Sequence, residues 1–123
     1  MKKAINGRQT SEFIRRAYDI ACRHGFHDVE RSNSHFLMLI LGEVGEMVEA
    51  DRKRNRAERM KFEKIMSLDD NASFDAYFKL FIKDTLEDEL ADVCIRIYDL
   101  LGTRDIEPVM IDGRGVYDMR AVL

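Results

Sequence analysis

Apolar residues recur at three- and four-residue intervals along most of the chain, and this spacing predicts helices. Four helices are predicted, over residues 10–25, 35–55, 74–83 and 83–102, and the second is the longest. Ser73 and either Asp84 or Thr85 are suited to cap the third and fourth helices. Residues 56–72 show no clear pattern, and the tail after Pro108 predicts a small hairpin or an irregular flap. The expected fold class is all-α.

Two of the predicted helices combine an apolar surface with one acidic stripe. Residues 36–41, "FLMLIL", are all apolar, and the fourth helix is apolar around most of its circumference. We therefore expect both helices to be buried on several sides, with each stripe facing an interior groove. The stripe on the second helix is formed by Glu43, Glu46 and, to one side, Glu49. The stripe on the fourth is formed by Glu89, Asp92 and Asp99, with Arg96 between the two aspartates.

The stripe on the second helix contains no Lys or Arg before Arg52. A solvated helix face normally interleaves basic residues, and carboxylates in a low-dielectric groove repel one another unless a cation joins them. An oxygen-rich site of this kind suits Mg²⁺ or Mn²⁺. The pattern alone leaves two interpretations open, a metal site and a solvated face. His24, His27 and His35 lack the spacing of di-iron or zinc ligands and are expected at helix ends or on the surface.

The composition fits one globular domain spanning residues 1–123, with a core over about 10–102 and a tail over 103–123. A net charge of −3 makes nucleic-acid binding unlikely, although residues 52–64 are basic. No segment is long and apolar enough to span a bilayer, and the N-terminus does not resemble a signal peptide. Cys22 and Cys94 are expected as small core residues of a reducing compartment. We therefore expect a cytoplasmic protein.

Two motifs, with their flanks, resemble the MazG-like, all-α nucleotide pyrophosphohydrolases. They are Glu43-Val-Gly-Glu46 within "LGEVGEMVEADR" and Glu89-Leu-Ala-Asp92 within "EDELADVCIRIYDLLG". The resemblance covers about residues 13–102. It implies a four-helix-type bundle completed by homodimerisation, or a dimer of dimers, with Mg²⁺ bound by the four motif acids. It also implies hydrolysis of a nucleoside triphosphate substrate between its α and β phosphates, with Mn²⁺ as a possible substitute metal.

The remaining site residues are expected to position the substrate. Glu49 is a candidate ligand or water-orienting residue, and Asp99 lies where the family often keeps a further acidic or polar residue. Lys83 and Arg54 are candidate phosphate contacts. A homodimer is expected from the apolar run 36–41, since it needs a partner. Two alternatives stay open: a dUTPase or phosphoribosyl-nucleotide pyrophosphohydrolase of the same superfamily, and a non-catalytic helical module that binds nucleic acid or protein.

Overall fold

The computed structural model describes residues 7–104, 109–111 and 114–116, and most of these are helical. The all-α class is confirmed, and all four predicted helices are present. An additional helix, α3, lies in the stretch that showed no clear pattern. The elements are α1 (Gly7–Arg23), α2 (Asn33–Arg52), α3 (Arg59–Leu68), α4 (Phe74–Phe81), α5 (Leu86–Thr103), β1 (Val109–Ile111) and β2 (Arg114–Val116).

The two short strands pair antiparallel, with Val109 opposite Val116. This is the hairpin that was one of the two predictions for the tail. The other residues of the tail after Arg104 lie outside the described ranges. Within the described ranges, no helix combines the length and the apolar character needed to cross a membrane.

Local caps explain where several helices begin and end. The backbone of Gly25, after α1, has a φ of +79° that favours glycine. After α2, Arg54 is left-handed with a φ of +56°, and the Asn55 N–H donates to the Ala50 carbonyl over 2.9 Å. This pattern is a Schellman-type helix end. Ser73 caps α4 as predicted, since its hydroxyl accepts a hydrogen bond from the Ala76 N–H.

The start of α5 is set by a contact to the preceding helix. The Lys83 N–H donates to the Phe78 carbonyl over 2.9 Å and so completes the end of α4. The helix α5 then begins at Leu86, three residues later than predicted. Of the two predicted caps, Thr85 caps this helix, because its hydroxyl oxygen accepts from the Asp88 N–H at 3.3 Å.

The chain divides into two compact units, residues 1–36 with 95–123, and residues 37–94. The prediction of a single domain stays a prediction. In the first unit, Ile14 and Ala17 of α1 are buried. Gly102 of α5 packs closely on α1: a Cβ added there would lie 2.9 Å from the Tyr18 Cβ. Gly102 was expected to end α5, but α5 continues to Thr103.

The second unit contains both acidic motifs. Its helices α3 and α4 pack through the rings of Phe62, Phe74 and Phe78, whose centroids lie 5.5–6.4 Å apart. The Leu86 N–H donates to the Asn55 carbonyl over 2.9 Å. This hydrogen bond holds the N-terminus of α5 beside the C-terminal end of α2, where the acidic motif of α2 is located.

The prediction that α2 and α5 are buried on several sides is wrong for the single chain. Of the six apolar residues 36–41, only Phe36 is buried. A helix that is apolar all round needs neighbours on every side, and the described residues of one chain supply them on only some. Both cysteines are also exposed, not in the core. The exposed large apolar residues of the two helices are Leu37, Met38, Leu41, Val48, Leu90, Ile95 and Ile97.

Candidate metal centre

Three motif carboxylates converge from two helices. Glu43 and Glu46 lie one turn apart on the same face of α2, as the three-residue spacing requires. One carboxylate oxygen from each lies within 4.8 Å of the others and of a Glu89 oxygen on α5. Glu89 is buried, Glu43 is half-buried and Glu46 is exposed, so this acidic triad has a closed side and an open side.

The buried member of the triad, Glu89, is the most perturbed. Only 5% of Glu89 is exposed, and its Oε2 atom is buried without a hydrogen-bond partner among the described residues. Burial, together with the charges of Glu46, Asp92, Asp88 and Glu43, raises the pKa of Glu89 from 4.5 to about 7. A buried carboxylate without a donor is unfavourable unless a cation compensates it. The oxygen-only donor set and this orphaned oxygen fit Mg²⁺ or Mn²⁺.

Asp92, the fourth acid of the motifs, lies one turn after Glu89 on α5 and is half-buried. None of its oxygens belongs to the triad at the 4.8 Å limit. Its negative charge is one of the causes that raise the pKa of Glu89. Asp92 is therefore a near neighbour of the triad, whereas the sequence placed it among the direct ligands.

Asp99, a candidate site residue on the acidic stripe of α5, pairs with a histidine. In the first unit, its Oδ1 atom lies 2.7 Å from the His27 Nε2 atom, and Asp99 is only 6% exposed. The Tyr18 ring packs beside the His27 ring with centroids 4.9 Å apart. The expectation that His27 is a surface or helix-end residue is therefore wrong, because it pairs with a buried acid far along the chain.

Glu49 carries ion pairs within its own helix. Its carboxylate accepts hydrogen bonds from Arg52 Nε and Nη2 at 2.8 and 2.7 Å, and Lys53 Nζ lies 3.2 Å away. These cations hold the pKa of Glu49 down, at about 2. The interpretation that the α2 stripe has no basic partner is wrong for Glu49, since residues three and four positions later reach back to it.

A cavity of about 300 Å³ opens beside the triad. This volume is at the lower end of the range for small-molecule sites. The lining includes a cation, Lys53, and an amide, Asn55, that the sequence had not singled out; Lys53 lies two turns after Glu46 and so on a similar face. The lining residues are Glu46, Glu49, Ala50, Lys53, Asn55, Asp84 and Glu89.

The two basic residues chosen from the sequence are placed differently. Arg54 is the left-handed residue at the end of α2, and Lys83 lies in the turn between α4 and α5. Both are exposed, and neither is among the residues that line the cavity. Their assignment as phosphate contacts stays a prediction.

A second acidic triad lies at the start of α5. Oxygens of Asp84, Asp88 and Glu89 all lie within 4.8 Å of one another, so Glu89 belongs to both triads. From the sequence, Asp84 was predicted only as one of two possible caps of the fourth helix. No helical spacing indicated this triad, because Asp84 has a left-handed backbone and precedes the first residue of α5.

Comparisons of the chain with protein-family models, with curated proteins and with solved structures give no match. The resemblance to the MazG-like enzymes therefore rests on the two motifs and their flanks. The geometry around Glu89 is a separate observation, since it comes from side-chain positions and burial.

Proposed function

We propose that the chain is a Mg²⁺-dependent nucleoside triphosphate pyrophosphohydrolase of the MazG-like type. The observation that carries the proposal is the convergence of Glu43, Glu46 and Glu89 around a buried oxygen that has no donor among the described residues. Two distant sequence motifs thus supply one oxygen-rich site at the mouth of a cavity. That is the arrangement that a metal-assisted phosphoryl reaction requires.

The motif acids would hold the metal. Glu43, Glu46 and Glu89 are the proposed Mg²⁺ ligands, and Asp92, one turn beyond Glu89 and outside the triad, is proposed as the fourth acid of the site. When bound, Mg²⁺ supplies positive charge that neutralises the phosphate oxygens. Lys53 lines the same cavity, and its ammonium group would donate to a phosphate in exchange for its exposed ion pair with Glu49.

Glu49 is suited to orient a water molecule rather than to take its proton. It lines the cavity and its pKa is about 2, so it stays ionised near neutral pH. A base with so low a pKa is a weak proton acceptor, but its oxygens accept hydrogen bonds well. We therefore assign Glu49 the positioning of the attacking water.

The proposal is tested by pyrophosphate release in the presence of Mg²⁺ from a panel of deoxynucleoside and nucleoside triphosphates. Glu46→Gln and Asp92→Asn each remove one acid charge and keep the side-chain size, and each is expected to lower the rate about 100-fold or more. Asp75→Asn is the matched control, since Asp75 is exposed on α4 and lies outside both triads. Wild-type rates in both motif variants would refute the site assignment.

Related activities of the same superfamily are separated by the same assay. A dUTPase would release pyrophosphate from dUTP and leave dCTP and purine nucleotides largely intact. A phosphoribosyl-nucleotide pyrophosphohydrolase would act on a phosphoribosyl nucleotide instead. Each of these substrates presents a phosphoanhydride to the same carboxylates, so the acid substitutions should affect all three activities.

The ion pairs of residues 52–64 speak against a nucleic-acid-binding module. Arg52 pairs with Glu49, Arg56 with Glu87, Arg59 with Glu63 and Lys61 with Glu58. Basic groups already paired with acids contribute less to phosphate binding, which depends on uncompensated charge. We expect no gel shift with single- or double-stranded DNA or RNA at about 0.15 M salt.

The exposed apolar face of α2 supports a homodimer. Leu37 and Leu41 are 51% and 60% exposed, and a Cβ added at Gly42 or Gly45 would meet no described atom within 4 Å. Apolar side chains clustered on one helix face are typical of a subunit interface. Size-exclusion chromatography with light scattering is expected to give twice the mass of one chain, or four times for a dimer of dimers. A monomer would contradict the proposal.

A further inference from the structure

The segment that follows α2 is joined to the start of α5 by several hydrogen bonds. The Asn55 carbonyl accepts from the Leu86 N–H over 2.9 Å, and Asn55 Nδ2 donates to the Asp84 carbonyl over 2.8 Å. Two residues later, the Ala57 N–H donates to Glu87 Oε2 over 2.8 Å. Main-chain and side-chain groups therefore both connect the end of one motif helix to the beginning of the other.

Asn55 is bonded toward both of the helices that carry the acidic motifs. Its N–H donates over 2.9 Å to the carbonyl of Ala50, which lies four residues after Glu46 on α2. Its carbonyl accepts from the N–H of Leu86, which lies three residues before Glu89 on α5. Asn55 also lines the cavity beside the triad. Its position relative to each helix therefore affects how far apart the α2 and α5 carboxylates lie.

Glu87 is used differently from the other two acids in the first turn of α5, Asp88 and Glu89. Both of its oxygens accept hydrogen bonds, Oε1 from Arg56 Nε and Oε2 from the Ala57 N–H, each at 2.8 Å. Glu87 belongs to neither acidic triad. The helix dipole favours an acid at this place but does not require that it accept from a backbone N–H in a segment far earlier in the chain.

We propose that Asn55 and Glu87 are positioning residues, which hold the acids of α2 and α5 at the separation that one divalent cation requires. Metal ligands must be held to within about 0.5 Å of the productive geometry. The covalent connection does not do this, because all of α3 and α4 lies between the two motif helices and a long connection restrains its ends only weakly. The inference rests on the metal centre of the proposed function.

The backbone contact of Glu87 matters more than its ion pair. The side chains of Arg56 and Glu87 are 65% and 40% exposed, and an exposed pair of this kind contributes little. The Ala57 N–H is a fixed main-chain donor, so its bond to Glu87 restrains the backbone after α2 directly. An oxygen acceptor at position 87 is therefore the requirement, and a negative charge there is not.

The test measures the affinity of the folded, full-length chain for Mn²⁺, by titration followed with the electron paramagnetic resonance signal of free Mn²⁺. Asn55→Ala removes the donor to the Asp84 carbonyl without changing the charge, and Glu87→Ala removes the acceptor for the Ala57 N–H. Each is expected to weaken Mn²⁺ binding about tenfold. Glu87→Gln keeps an acceptor oxygen and should bind Mn²⁺ within about threefold of the wild type, as should Arg56→Ala.

Two matched controls lie on the surface away from these contacts. Asn71→Ala replaces an exposed asparagine between α3 and α4, and Glu63→Ala replaces an exposed glutamate that is paired only with Arg59 of its own helix among the described residues. Both should bind Mn²⁺ like the wild type. Circular dichroism and urea unfolding establish that each variant is folded in the assay. A purely structural role would lower the free energy of unfolding and leave the Mn²⁺ affinity of the folded chain unchanged.

Unchanged Mn²⁺ affinity in either Asn55→Ala or Glu87→Ala would overturn the inference. Equal weakening by Glu87→Gln and Glu87→Ala would also overturn it, because the charge of Glu87 would then be the cause and not its hydrogen bond. A wild-type chain that binds no Mn²⁺ would contradict both this inference and the metal centre.

Failure of this inference is otherwise distinct from failure of the proposed function. A chain that binds Mn²⁺, binds it more weakly in both alanine variants and hydrolyses no nucleotide keeps the positioning role and loses the enzyme. A chain that hydrolyses nucleotides, with Mn²⁺ affinity unchanged in these variants, keeps the enzyme and loses the positioning role.

Discussion

The buried carboxylate of Glu89 should make the stability of the metal-free chain depend on pH. Its pKa is about 7 in the folded chain against an ordinary 4.5. Between these values the folded state keeps a proton that the unfolded state loses, so stability falls as pH rises from 4.5 through 7. Below 4.5 both states are protonated and the group has no such effect.

The size of the effect follows from the pKa difference. At about 1.4 kcal/mol per pKa unit, a rise from 4.5 to about 7 corresponds to about 3 kcal/mol at full ionisation. Glu46 is exposed, so solvent screens part of its repulsion and lowers the expected effect to about 1–3 kcal/mol. Glu89→Gln removes the charge and keeps the shape. The variant should therefore be more stable than the wild type by this amount at pH 8, and equal to it near pH 4.5.

The assay is urea unfolding followed by circular dichroism, in the presence of a chelator, at several pH values between 4.5 and 8. Taking the difference between variant and wild type at each pH cancels the titration of groups common to both. Glu12→Gln, an exposed substitution on α1, is the matched control. Added Mn²⁺ at pH 8 should stabilise the wild type far more than Glu89→Gln, since ligand binding to the folded state raises stability. A difference that does not change with pH would refute the reasoning.

Four further substitutions test other parts of the fold by urea unfolding. Gly102→Ala should destabilise the chain by about 1–3 kcal/mol, because the new methyl group meets the Tyr18 side chain. Gly42→Ala should stabilise an isolated chain by up to about 1 kcal/mol, because alanine favours a helix more than glycine does and the new methyl group has open space. His27→Ala should lower the free energy of unfolding by about 1–3 kcal/mol, because it leaves Asp99 buried without its partner. It should leave Mn²⁺ binding unchanged. The pKa of Glu49 is lowered from 4.5 to about 2. Glu49→Gln should therefore destabilise the chain at pH 6, and this loss of stability should diminish as pH falls from 4.5 towards 2.

The helices that were predicted from the sequence are those with strong local signals. Spacing of apolar residues, with the cap at Ser73, indicated α1, α2 and α4 within a few residues. The helix α3 was missed because its apolar residues, among them Phe62, acquire a packing partner only when α4 folds against them. The start of α5 was placed too early because the backbone of Lys83 completes the preceding helix.

The part of the site that lies in the two sequence motifs was predicted. The spacing within each motif placed Glu43, Glu46 and Glu89 on helix faces that the structure brings together. The burial of α2 and α5 was overestimated, because an apolar helix sequence does not indicate how much of the helix surface the same chain covers. The pairing of Asp99 with His27 joins residues far apart in the chain, and no local pattern predicts it. Asp84 and Asp88 were not recognised as part of an acidic cluster, because acids at the start of a helix are usually capping residues.

We propose that the carboxylates around Glu89 serve the hydrolysis of a nucleoside triphosphate between its α and β phosphates. The most direct measurement is ³¹P nuclear magnetic resonance of the products after incubation with Mg²⁺ and each nucleotide of the panel. We expect a nucleoside monophosphate and pyrophosphate from at least one nucleotide, and neither product from the Glu46→Gln chain in the same time. A nucleoside diphosphate with orthophosphate, or no product from any nucleotide, would contradict it.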